Sequence, residues 1–156
     1  MALVLMVAAC HGSSRPTYDD KLIAPEAKGL KLGTATLADV QKAFPDVTVD
    51  KDKSLGGDKI VEYNDKKAIA FDAPNGTSGH IVDGVLVNLH VHEPNACSWL
   101  IKTMDGLDGS RSCPGNRKTG KSRDNATAYY CASLGDRVVA IECDHDGYDY
   151  HIMSIR

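Results

Sequence analysis

The chain has 156 residues, a formal net charge of −3 and 42% hydrophobic residues. Its length is close to that of one ordinary domain, and its composition is that of a globular chain with a buried core. A negative net charge gives no global attraction to the nucleic-acid backbone, which argues against a nucleic-acid partner. We therefore expect a single folded domain.

The N-terminus begins with an apolar run, MALVLMVAA, that ends at Cys10. The run is too short to cross a bilayer, which takes about 20 residues, but it has the length of the apolar part of an export signal. The alternative is a buried N-terminal strand. The four residues Val7-Ala8-Ala9-Cys10 resemble the lipobox of bacterial lipoproteins, in which the cysteine is lipidated and becomes the mature N-terminus.

This resemblance implies an exported protein that is lipid-anchored through Cys10 at the periplasmic or surface face of a bacterial membrane. No Lys or Arg precedes the apolar run, although such a charge is expected, and this points to a truncated start. The following stretch, HGSSRPTYDD, has the polar composition of a tether. We assign residues 1–10 to the signal, 11–25 to a flexible tether and 26–156 to one globular domain.

Four further cysteines are available for disulfides: Cys97, Cys113, Cys131 and Cys143. An even number in an exported chain predicts two bridges, and the lack of a C-x-x-C pair argues against a zinc ribbon or a redox site. If residues 133–136 turn a hairpin, Cys131 faces a residue near 138–140, which excludes a bridge to Cys143. Of the two pairings left, we favour Cys113–Cys131 with Cys97–Cys143.

The first predicted helix begins at Thr36, which forms a capping pattern with Asp39, and ends before Pro45. Strand patterns follow at 46–49, 59–63, 67–71 and 80–82. The dipeptide Asp83-Gly84 predicts a hairpin turn into a long strand at 85–93, in which apolar and polar residues alternate.

A second helix is predicted from Asn95, and three more strands at hairpin spacing follow a long loop. The order of helix, strands, helix, strands predicts an α+β domain, with two helices packed on one face of an antiparallel sheet. A tandem repeat of a helix and hairpins is compatible with this order.

The segment LGTATLADVQKAFP, with Gly33, Thr36 and Val40, is similar to the start of small exported modules of the beta-lactamase-inhibitor-like and outer-membrane-assembly-lipoprotein type. In those modules a G-x-T-x-x-x-V turn and helix precede a hairpin. The resemblance covers about fourteen residues, and the second helix lacks the glycine and the threonine. It implies a protein-binding or assembly role for an exposed sheet face and assigns no catalytic residue.

Four residues of the segment 114–124 fit the phosphate-loop pattern G-x-x-x-x-G-K-[ST]: Gly115, Gly120, Lys121 and Ser122. Such a loop needs a buried strand before it and a helix after it. The preceding residues contain no apolar run, and the following residues have the β-branched and aromatic content of a strand. We therefore predict an irregular exposed loop that binds no nucleotide.

Basic residues are concentrated in this loop: Arg111, Arg117, Lys118, Lys121 and Arg123. We interpret this basic cluster as a feature that attracts an anionic surface or an acidic partner.

His90 and His92 lie on the same side of the predicted strand 85–93, about 7 Å apart given the rise of a strand. Two imidazoles spaced in this way are able to hold a metal ion when a neighbouring strand supplies a third ligand. With Asp83-Gly84 as the turn, we expect His80 opposite Val87 and therefore on the other face. A solvated polar face is the simpler interpretation, and a metal site at His90 and His92 is the alternative.

The carboxylate-rich segment Asp144–Asp149 resembles part of a calcium loop but lacks the glutamate that an EF-hand needs at its twelfth position. A turn between two strands is the preferred interpretation.

The sequons at Asn75 and Asn125 indicate exposed stretches. No nucleophile motif and no cofactor motif is present, so the prediction is a non-catalytic binding or inhibitor-like module, with metal-dependent activity as the alternative.

Overall fold

A computed structural model of the chain describes residues 17–55, 63–107, 113–114 and 118–154. The expectations for Cys10, Arg111, Gly115 and Arg117 concern residues outside these ranges. The described helices are α1 Leu37–Ala43 and α2 Ala96–Asp105, with short 3-10 turns at Asp20–Leu22 and Pro25–Ala27. The described strands are β1 Thr48–Ser54, β2 Lys67–Asp72, β3 Ser78–Val82, β4 Val85–His92, β5 Gly120–Lys121, β6 Ala128–Leu134, β7 Arg137–Cys143 and β8 Gly147–Ser154.

The strands form one sheet in the order β1-β2-β3-β4-β8-β7-β6-β5, and every neighbouring pair is antiparallel. Among the described elements, a helix followed by four strands occurs twice in chain order. The two halves meet along their last strands, β4 and β8, near the middle of the sheet. The order is therefore a tandem one, and the β4–β8 pairing makes one continuous sheet from both halves.

The prediction of an α+β fold with an antiparallel sheet is confirmed, but the expected packing of two helices on one face is wrong because the sheet dominates the molecule. Helix α2 contacts β6, β7 and β8. Helix α1 ends after seven residues because the proline at position 45 pushes Phe44 out of the helical region. Within the helix, only Val40 is buried.

This N-terminal segment corrects the predicted tether. Tyr18, Leu22 and Ala24 are buried in the main core. The amide of Ala24 donates a hydrogen bond of 2.8 Å to the Tyr150 hydroxyl, a contact between residues 126 positions apart. Residues 17–25 therefore belong to the folded domain, because sparse apolar side chains in a polar stretch find partners that are distant along the chain.

The two faces of the sheet differ in composition. Leu89, Tyr150 and Ile141 are fully buried on the face that carries the main core. A smaller cluster on the opposite face contains Tyr129, Ala140 and the cysteines at 113 and 131, with Met153 packed against it. Because successive side chains of a strand point to opposite faces, the residues that alternate with the main core belong to this second face.

The cysteines form the pairing that we favour from the sequence. Cys97 of α2 is bonded to Cys143 of β7, with Cα atoms 5.2 Å apart. Cys113 is bonded to Cys131 of β6, with Cα atoms 6.0 Å apart. The first bridge ties α2 to the core face of the sheet, and the second ties the long loop to the opposite face. Cys131 faces Ala140 in the register of β6 and β7, as the hairpin predicts.

Candidate functional site

The face of the sheet opposite the main core carries a band of polar side chains on adjacent strands, and we call it the open face. The buried residues of α1 and α2, among them Val40 and Leu100, belong to the main core rather than to this face. Strand register and alternation place the following residues on the open face: Ser78, His80, Asn88, His90, Tyr129, Glu142, Asp149 and His151.

His90 and Asp149 form the best-defined pair of this face. They are directly opposed on β4 and β8, and His90 Nδ1 lies 3.1 Å from Asp149 Oδ1. The two side chains are 30% and 22% exposed, so the pair is half-buried yet open to a partner. Ser78 stands opposite His90 on β3.

A second pair lies on the neighbouring strands. His151 Nε2 of β8 is 3.7 Å from Glu142 Oε1 of β7, and their side chains are 2% and 21% exposed. Glu142 is also directly opposite Asp149 in the register of β7 and β8. Four ionisable side chains from β4, β8 and β7 thus form one continuous group at the centre of the open face.

A β-bulge corrects the expected position of His80. The register shifts between His80 and Ile81, so that His80 faces Asn88 rather than Val87. One extra residue in β4 reverses the face of everything beyond it. His80 therefore lies on the same face as His90, and its Nδ1 is 3.3 Å from the side-chain oxygen of Asn88.

The metal hypothesis for His90 and His92 finds no third ligand within the described parts of the chain. There, the group of three or more potential ligands with atoms within 4.8 Å of one another is Asp144, His145 and Asp146. It contains neither His90 nor His92. His90 instead pairs with Asp149, and His92 is exposed at the end of β4.

The carboxylate-rich segment forms the turn between β7 and β8, as preferred from the sequence. Asp144 Oδ1 accepts hydrogen bonds from the amides of Asp146, at 2.9 Å, and Gly147, at 3.2 Å. The amide of Asp144 donates to the carbonyl of Gly147. These contacts are those of an Asx turn, which explains the aspartate without a calcium ion.

The described residues of the phosphate-loop pattern adopt a different structure from the one that phosphate binding requires. Gly120 and Lys121 form β5 at the sheet edge, so the expectation of a wholly irregular loop is wrong for these residues. Ser122 Oγ donates to Asp124 Oδ1 at 2.6 Å, and its amide donates to the carbonyl of Thr127. The next described element is strand β6 rather than a helix. The hydrogen bonds from Ser122 and from the amide at position 126 hold the pKa of Asp124 below its ordinary value.

A groove of about 480 Å³ connects this edge with the open face. Its charged lining residues are Lys118, Lys121, Glu142, Asp144 and Asp149. Lys118, Lys121 and Arg123 are exposed, as expected for the basic loop. The groove therefore combines exposed lysines with carboxylates, and its lining also contains the hydroxyl-bearing Thr119, Ser122, Thr127 and Tyr129.

No protein-family model matches the chain. Comparisons with curated proteins and with solved structures also find no match. None of the described helices is both long and apolar enough to cross a membrane. The site is therefore interpreted from its own geometry.

Sequence analysis did not single out Glu142, His151 or Tyr129, and it considered Asp149 only as part of the carboxylate-rich segment. A signal was present in β8, where Tyr148, Tyr150 and Ile152 alternate with Asp149, His151 and Met153. Such alternation predicts one buried and one open side. It does not predict the neighbours of the strand, and the His90–Asp149 pair depends on β8 lying next to β4.

Proposed function

We propose that the protein is a lipid-anchored, exported lipoprotein that acts as a non-catalytic binding module and engages a protein partner through its open face. The observation that carries this proposal is the partly exposed group of His90, Asp149 and Glu142 across β4, β8 and β7, with the buried His151 beside it, on the face opposite the main core. The adjoining groove extends this surface to the sheet edge.

The chemistry of this face suits recognition better than catalysis. Its histidines and carboxylates are paired with one another, and the groove offers both signs of charge together with hydroxyl groups. Complementary charges on a partner would steer the encounter and fix its register. The small apolar cluster at Tyr129 and Met153 supplies area that a partner could dehydrate.

Export is supported by the disulfides, which persist in oxidising compartments and are rare in reducing ones. The proposed anchor is Cys10. Expression of the full chain in a Gram-negative host should give a membrane-associated, lipid-labelled protein, and Cys10→Ser should release it into the soluble fraction. Equal membrane binding without processing in the two proteins would contradict the anchor.

The binding face is tested by placing a photo-crosslinking amino acid at His80 and at Lys121, with Ser98 on the exposed side of α2 as the matched control. His80 on the open face and Lys121 in the adjoining groove should both give adducts with the same partner, and Ser98 should not. Adducts from Ser98 alone, or none from either His80 or Lys121, would contradict binding through this surface.

A further inference from the structure

We infer that a groove lined by Lys28, Lys31 and Lys42 docks on anionic phospholipid headgroups and so orients the anchored module. This inference rests on the proposed lipid anchor at Cys10. The groove has a volume of about 430 Å³ and lies between residues 28–35 and α1. We call it the lysine groove.

Two of the three lysines are held in place by contacts with the folded domain. Lys28 Nζ donates a hydrogen bond of 2.9 Å to the carbonyl of Ala43 and lies 4.5 Å from the centre of the Phe44 ring. Lys31 Nζ lies 5.4 Å from the centre of the Tyr18 ring. These contacts are made by the ammonium groups and hold them at defined positions, and Lys28 remains exposed. A preorganised cation loses less conformational entropy when it meets a phosphate.

The charge of the lysine groove is positive. Its lining contains three lysines and one acidic residue, Asp39. Asp39 Oδ2 accepts hydrogen bonds from the amide and the hydroxyl of Thr36, both at 2.8 Å, so this carboxylate is engaged in the cap of α1. Asp19 and Asp20 are exposed next to Tyr18 and offset part of the attraction. We therefore expect weak docking that becomes effective once the anchor holds the chain at the bilayer.

The length of chain before the folded domain places this groove close to the membrane. Six residues separate Cys10 from Thr17, and a fully extended chain of this length spans at most about 25 Å. Tyr18, the next residue, packs under Lys31 at the groove. The residues around the groove, Leu30, Ala35 and Val40, belong to the main core. The open face is thus on the opposite side of the sheet and is left available to a partner.

The test uses the full chain with Cys10→Ser, so that no acyl chain contributes to binding. Sedimentation with vesicles of phosphatidylcholine containing phosphatidylglycerol should show salt-sensitive binding, and pure phosphatidylcholine vesicles should bind much less. Each lysine near an anionic surface contributes about fivefold in affinity. Lys42→Glu should therefore reduce binding at least about fivefold, and combined reversal of Lys28, Lys31 and Lys42 should reduce it further.

The matched control reverses Lys51 and Lys53, two exposed lysines of the edge strand β1, and should leave vesicle binding nearly unchanged. Equal loss in this control would show a general charge effect and overturn the inference. Unchanged binding of a folded Lys42→Glu protein, or equal binding to neutral vesicles, would overturn it as well. The result is independent of lipidation, so failure here is distinguishable from failure of the anchor, which the membrane fractionation of Cys10→Ser measures.

Discussion

Gly79 lies in β3 where the backbone of β4 comes closest to it. A Cβ atom at this position would overlap the carbonyl oxygen of Asn88 and lie 2.8 Å from Cζ of Phe71. The close approach occurs next to the bulge that places His80 on the open face. Gly79 is therefore required by packing, because any side chain would push the two strands apart at the site.

We predict that Gly79→Ala destabilises the protein by about 1–3 kcal/mol, the usual cost of overpacking a core. The comparison is with Gly106→Ala, where the nearest atom to an added Cβ is the Thr103 carbonyl oxygen at an ordinary 3.7 Å. Urea unfolding of both variants measures the difference. Equal stabilities would contradict the tight packing of β3 against β4.

At the scale of the element, α1 is a short helix with a complete cap. The amide of Asp39 donates to the hydroxyl of Thr36, and the carboxylate of Asp39 accepts from the amide of Thr36. The hydrogen bonds from the backbone and the side chain of Thr36 lower the pKa of Asp39. A helix of seven residues cannot form alone. The stability of α1 therefore depends on its cap and on the packing of Val40.

The lowered pKa predicts how stability depends on pH. The charged Asp39 stabilises the folded protein above the ordinary aspartate pKa of about 3.9, and this contribution is lost as the pH falls through the lowered value. Asp39→Asn should therefore lower the melting temperature at pH 7, and this loss should shrink as the pH falls below the ordinary aspartate pKa. Asp46→Asn, on an exposed residue after α1, is the control. A loss that stays the same as the pH falls would contradict a role for the charge.

At the scale of the whole molecule, the two disulfides connect the sheet to the chain on either side of it. Cys97–Cys143 closes a separation of 46 residues and Cys113–Cys131 one of 18. A bridge restricts the unfolded chain more when the loop is longer, by about 4 and about 3 kcal/mol for these separations. The Cys97–Cys143 bridge should therefore stabilise the protein more than the Cys113–Cys131 bridge.

Oxidised, denatured protein should show no free thiol at these four positions when it is alkylated and weighed by mass spectrometry. Replacing Cys97 and Cys143 together by alanine should destabilise the protein more than replacing Cys113 and Cys131, as measured by guanidinium unfolding. Two or more reactive thiols among the four cysteines would refute the bridges, and a reversed order of stabilities would refute the dependence on loop length.

The sequence by itself determined the features that follow from local rules. The cap of α1, the turn after Val82, the hairpin of β6 and β7 and the turn at Asp144 were predicted and are present. In each case the deciding contacts join residues close in the chain, so capping, turn chemistry and alternation were sufficient.

The tertiary structure alone decided the rest. The burial of Tyr18 under the sheet, the pairing of β4 with β8 and the bulge that turns His80 to the open face depend on contacts between distant residues. His90 and Asp149 are 59 positions apart and meet only because the two halves join along these strands. Local propensities carry no information about which strands become neighbours, and a shift of one residue reverses the face of a strand.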